Sequence, residues 1–166
     1  MQIGKAIQGA MNDQIHKELE SAYLYLGMSA YFNGINQPGA ASWMRVQARE
    51  EVGHGMKFTG FVEDRGGTVV LKALAAPPKT FASSLAAFEA AAEHEAVVSA
   101  SIHALYELAA KEKDYAAQAL LQWFITEQVE EEKASRQIVD TLRLIGSNTS
   151  GLFMFDRELG RRGQTG

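Results

Sequence analysis

The 166-residue sequence predicts an all-α fold: a four-helix bundle with a long crossover between helices two and three, and a short fifth helix near the C-terminus. Three observations lead there. Apolar residues recur every three or four positions through most of the chain, the period of an amphipathic helix rather than of a strand. The periodic stretches are four, each about 25–30 residues or about 40 Å long, a length that suits bundle helices. The first and third breaks between them are short, so helices one and two, and three and four, pair antiparallel. The middle break, residues 67–83, is long enough to travel back along a bundle and give an up-down-down-up order.

The first helix is expected over residues 4–33, with Ile7, Met11, Ile15, Leu19, Ala22, Leu26 and Ser29 or Ala30 facing inward. "NGINQPG" at 33–39 ends it with an Asn, two glycines and a proline. The second helix runs from about Ala40 to Arg65 and stops at Gly66-Gly67. In the crossover, "VVLKALAAPPKTF", the Pro77-Pro78 pair keeps part of the chain extended. The third helix runs from about Ser84 to Lys113, with Ser83 or Ser84 as its N-cap. The fourth runs from about Tyr115 to Ile145, with Gly146 placed to end it as a C′ glycine. After "SNTSG" comes "LFMFDREL", a short amphipathic helix over about 150–160.

Composition narrows the classes of function. Hydrophobic residues at 46% and charged residues at 22% describe one soluble globular domain, residues 1–160, followed by a short flexible basic tail at 161–166. The absence of cysteine removes disulfides, thiolate catalysis, iron–sulfur clusters and cysteine zinc sites, and fits a reducing, cytoplasmic setting. A net charge of −4 gives no pull toward nucleic acid. No apolar run spans a membrane, and the N-terminal stretch lacks the apolar core of a signal peptide.

The stretch "REEVGH" at 49–54 places Glu50, Glu51 and His54 beside Gly53 and Gly55. Each glycine costs a helix about 1 kcal/mol relative to alanine. The acidic residues that lie among apolar neighbours make the pattern intelligible: Glu18 in the first helix, Glu51 and His54 in the second, Glu95 in the third, Gln128 and Glu131 in the fourth. From 18 to 51 is 33 residues, as is 95 to 128; 51 to 54 and 128 to 131 are both three. Adding 77 to 18, 51 and 54 gives 95, 128 and 131, so the chain reads as two helix hairpins with ligand-type residues at matching positions. Positions i and i+3 share a helix face. One carboxylate plus a Glu-x-x-His pair from the neighbouring helix makes half of a di-iron carboxylate site in a bundle core, and the second hairpin supplies the other half. Oxygen ligands with one imidazole suit iron or manganese. Buried carboxylates are costly unless a cation neutralises them. On this reading the glycines are tolerated because a metal stabilises the stretch or because a neighbouring helix approaches closely. A single Glu-x-x-His is ordinarily a solvated face, and Glu130, Glu131 and Glu132 taken alone read as surface charge. Repetition over six positions on four helices outweighs both. His16, His94 and His103 lack such support and read as surface or interface residues.

At these residues, and along "KELESAYLYLGMSAYF", "EHE", "LLQWFITEQVEEEK" and "GLFMFDRELG", the sequence resembles the non-haem bacterial ferritins, within the ferritin-like di-iron family, over nearly its whole length. The resemblance implies a homo-oligomeric shell of 24 subunits, with the fifth helix near the four-fold axis. It implies oxidation of Fe(II) by O2 or H2O2 and storage of a ferric mineral. One iron would be bound by Glu18, Glu51 and His54, the other by bridging Glu51 with Glu95 and Glu131. Gln128 would hydrogen-bond a bound oxygen species. A third iron site would use Glu50, Glu127 and Glu130, with Glu131 shared. Tyr25 and Trp123 match aromatic residues near that centre, able to donate electrons or simply to pack. Val52 stands where haem-binding relatives place a methionine ligand, so haem is not expected. Two other functions remain open: a di-metal oxidase that removes peroxide without storing iron, and a non-catalytic metal-buffering bundle.

Overall fold

The computed structural model describes residues 2–162. Its elements are α1 (Lys5–Gly34), α2 (Pro38–Asp64), α3 (Ser84–Lys111), α4 (Tyr115–Ile145) and α5 (Thr149–Leu159), with no strand among the described residues. Cross-helix contacts fix the helix directions. Glu18 faces His54 and Ser29 faces Ala41, so α1 and α2 are antiparallel. Gln128 faces Glu95 and Arg143 faces Glu89, so α3 and α4 are antiparallel too. Ser21 meets His94 while Phe32 meets Phe88, which sets α3 antiparallel to α1 and gives the up-down-down-up order.

The crossover lies along α1 and is bonded to it in sequence. Asn12 donates to the Thr68 carbonyl at 3.0 Å and accepts from the Val70 amide at 2.7 Å. Further on, Tyr31 donates to the Phe81 carbonyl at 3.3 Å. Between these ties, Pro77 packs onto Gly27 so closely that a Cβ there would sit 2.7 Å from Pro77 Cγ, so this glycine is set by the approach of the crossover.

Helix ends follow local chemistry. Ser83 caps α3 by accepting from the Ala86 amide, and Ser84 instead donates to Gln37. Asp114 caps α4 through Ala117, and Gly146, at φ 57°, ends it. α2 begins at Pro38, two residues before the expected Ala40, because proline suits the first helical turn, where its missing N–H loses nothing. The next two amides, of Gly39 and Ala40, donate to the Asp156 carboxylate of α5 at 3.0 and 2.8 Å. The fifth helix therefore docks on the bundle by capping the second.

The inward stripe of α1 departs from expectation at one position: Leu26 is exposed, and Tyr25, with its hydroxyl partnered inside, is buried in its place. The apolar core is divided. One cluster, around Met28, Phe32, Trp43, Met44 and Phe88, fills the α5 end. The other, around Ile7, Met11, Phe58, Ile102 and Phe124, fills the opposite end. A layer of buried polar side chains, including Glu18, Gln47, Glu51, Glu95, Gln128 and Glu131, lies along the same helices. Of the expected tail, Arg161 and Arg162 form a turn after α5, and 163–166 lie outside the described residues.

Candidate metal centre

Among the described residues, one group of three potential ligands converges within 4.8 Å: Glu18, Glu51 and His54, all buried. Nδ1 of His54 lies 3.5 Å from Glu51 Oε2 and 3.8 Å from Glu18 Oε2. Glu18 Oε2 has no hydrogen-bond partner, an unusual condition for a buried carboxylate oxygen. Its other oxygen accepts from Gln14 at 2.8 Å. Burial, reinforced by the charge of Glu51, pushes the Glu18 carboxyl well above the ordinary carboxylate range. Burial, and then the charge of Glu95, pushes Glu51 up to about 8. Carboxyls held this far from their ordinary ionisation mark a site lacking a compensating positive charge. A divalent cation held by two carboxylates and an imidazole would supply that charge, and Glu18 Oε2 is the carboxylate oxygen without a hydrogen-bond partner there.

The matching residues of the second hairpin are buried nearby but held by protein donors. Glu95 accepts a short hydrogen bond from the Tyr25 hydroxyl, and its other oxygen accepts from Gln128 at 3.2 Å. Gln128 also reaches Ser99 at 3.2 Å. Glu131 accepts from Gln47 at 2.6 Å, and burial pushes its carboxyl up to about 7. Glu95 and Glu131 both raise Glu51 through their charge, which ties the two halves electrostatically. Tyr25 is fully buried, and burial with the adjacent Glu95 charge keeps its phenol protonated well beyond the ordinary range.

Of the other predicted residues, Glu127 is half-buried and Glu130 is exposed. Glu50 is ion-paired to Arg162 at 2.7 Å. Trp123 stands edge-on to His54 with ring centroids 5.6 Å apart, and Lys57 covers its outer face at 4.1 Å. Val52 is exposed on a surface groove with Leu26 and Arg49. His94 bonds Ser21 at 2.7 Å, and burial lowers its pKa.

Sequence reasoning missed Gln14, Gln47 and Arg162. The glutamines carried a signal: each stands four residues before a ligand-type glutamate, Glu18 or Glu51, on the same helix face. The glycines on either side of His54 are not forced by packing. A Cβ at Gly53 would meet open space, and at Gly55 it would make ordinary contact, 3.6 Å from Glu18 Cβ. Nothing in the structure explains them.

A sequence model of the ferritin-like domain matches residues 8–145. A bacterial non-heme ferritin of Bacteroides fragilis is 39% identical over 160 residues, covering 96% of this chain and 99% of the relative. One from Staphylococcus aureus is 35% identical, covering 96% of each chain. Among solved structures, an open pore ferritin from the hyperthermophilic archaeon Archaeoglobus fulgidus superposes with a TM-score of 0.94 at 48% identity, over 95% of this chain and 98% of the other.

Proposed function

We propose that this chain, which belongs to the ferritin family, stores iron and acts as a ferroxidase, oxidising Fe(II) at a paired-metal site inside each bundle. The observation that carries the reading is the bare, buried Glu18 Oε2 facing Glu51 and His54. One Fe(II) would bind Glu18, Glu51 and His54. The second would bind Glu51 as a bridge, with Glu95 and Glu131 turning from Tyr25 and Gln47 to receive it. Two Fe(II) at adjacent positions supply together the two electrons that reduce dioxygen to the peroxide level, or peroxide to water. Gln128, whose amide donates to Glu95, would turn to donate a hydrogen bond to the oxidant. Tyr25 holds the Glu95 carboxylate from the opposite side. Because burial raises the carboxyl pKa values of Glu18, Glu51 and Glu131 in the iron-free state, iron binding would favour release of protons from this group.

In this reading Glu50, Glu127 and Glu130, with Glu131 shared, take a third, more exchangeable iron. Ferric product passes to a mineral inside a homo-oligomeric shell of 24 subunits in the cytoplasm. Family membership supports a cage, and no helix among the described residues is long and apolar enough to cross a membrane. The test combines size-exclusion chromatography with Fe(II) and O2 uptake on one sample, for the parent and Glu51→Ala. A large shell whose fast oxidation is lost in Glu51→Ala is expected. A small oligomer, or a folded Glu51→Ala shell oxidising at the parental rate, refutes the reading.

A further inference from the structure

Arg162 follows α5 in a turn closed by its amide on the Leu159 carbonyl. Its guanidinium reaches back across the bundle to α2. Nη1 donates to Gln47 Oε1 and Nη2 to Glu50 Oε2, both at 2.7 Å, and the group lies 4.5 Å over the Trp43 ring. Trp43, Gln47 and Glu50 are spaced by four and three along one face of α2, so a single helix offers an aromatic plane, an amide oxygen and a carboxylate to one planar cation. The contact extends further, because the Gln47 amide N–H donates to Glu131 Oε2 at 2.6 Å. The positive charge thus meets Glu50 directly and Glu131 through one amide. Its field lowers the Glu131 carboxyl while the Glu50 charge raises it.

We propose that Arg162 is a tethered cation that occupies the Glu50–Glu131 edge of the metal centre in the iron-free protein, and that a metal ion entering this edge must displace it. The inference rests on the reading of Glu18, Glu51 and His54 as a metal site and of Glu50, with Glu131, as ligands for a further ion beside it. A metal ion ligated by Glu50 on the lone pair that accepts from Arg162 excludes the guanidinium, and two cations sharing one carboxylate repel each other. The displaced side chain has somewhere to go. A 660 Å³ groove beside it is lined by Trp43, Thr141, Phe155 and Glu158. Glu158, among the groove's lining residues, offers the displaced guanidinium a carboxylate. The exchange sets an order of filling. Glu18, Glu51 and His54 take metal with Arg162 in place, and the Glu50 edge fills only afterwards.

The test is calorimetric titration of the iron-free, assembled protein with Zn2+, which binds without redox chemistry. The parent is compared with Arg162→Ala, Arg162→Gln and Glu51→Ala. Arg162→Gln keeps a donor for Gln47 but removes the charge, so it separates competition from positioning. Expected are a tight class of sites lost only in Glu51→Ala and a weaker class bound about fivefold more tightly in both Arg162 variants, the scale of a partly exposed ion pair. A weaker class unchanged in both Arg162 variants overturns the proposal. So does a tight class that weakens in Arg162→Ala and recovers in Arg162→Gln, because Arg162 would then act by orienting Gln47. A tight class that survives in Glu51→Ala would instead refute the metal site itself, so the two failures read differently.

Discussion

Glu51→Gln tests the physical basis of the site without iron. The substitution keeps the shape of the side chain and a hydrogen-bond donor, but it cannot ionise. Glu51 has a folded-state pKa of about 8 against an ordinary 4.5, so between these values the native state holds a proton that the unfolded chain has released. Stability contributed by such a group is complete below about pH 4.5 and is lost as pH rises toward 8. At pH 7 the gap from 4.5 is 2.5 units, which at about 1.4 kcal/mol per unit makes the parent about 3 kcal/mol less stable than a non-ionising equivalent. For a domain of this size that is about 6–12 °C in melting temperature. Scanning calorimetry of iron-free parent and Glu51→Gln at about pH 5 and about pH 7 is the assay. The variant should melt close to the parent at the lower pH and well above it at the higher one. Glu18 and Glu131 interact with Glu51 through charge, so the difference reports the titration of these coupled carboxyls together rather than of Glu51 alone. Equal pH dependence in the two proteins, or a variant less stable than the parent at about pH 7, would refute the claim that an uncompensated buried carboxylate strains the empty site.

Asp156→Ala should remove both side-chain acceptors from the first turn of α2, lowering stability by about 1–2 kcal/mol in denaturant melts and loosening α5 from the bundle, which amide exchange over 149–159 would register. Gly27→Ala and Gly55→Ala should move stability in opposite directions. The first drives a Cβ into Pro77 and costs about 1–3 kcal/mol, while the second makes ordinary contacts and adds about 0.5–1 kcal/mol in the same melts. Tyr25→Phe leaves Glu95 held by Gln128 alone, so stopped-flow absorbance should show slower Fe(II) oxidation in a shell of unchanged size.

The helices were legible because their ends are written in local chemistry. Asp114 and Gly146 bracket α4 at the expected residues, and Ser83 stands ready to cap α3. The start of α2 was less so, because Pro38 ends a helix as readily as it opens one, and the carboxylate that caps α2 comes from Asp156, 117 residues away in α5. The paired metal ligands were legible through their repeat. The groups that hold them were less so, since a glutamine among polar neighbours gives no hint that its amide is aimed inward. Tyr25 was expected near the centre by likeness, yet the apolar stripe was drawn through Leu26. A stripe built on apolar side chains passes over a phenol whose hydroxyl is satisfied only by a carboxylate on another helix. Arg162 read as part of a basic tail, because only the folded chain shows that α5 returns it to α2.

The division of the apolar core has a consequence for motion. A bundle with one continuous oily interior opens as a whole, but here the two ends are cemented separately and the waist between them rests on hydrogen bonds among groups that would rather be hydrated. The empty subunit should breathe at its middle while its ends stay shut. Amide exchange would then run faster around Glu18, Glu51 and Glu95 than around Phe32 or Ile102. A metal ion settling at the waist acts as a rivet, joining two half-cores that sequence alone leaves loosely coupled.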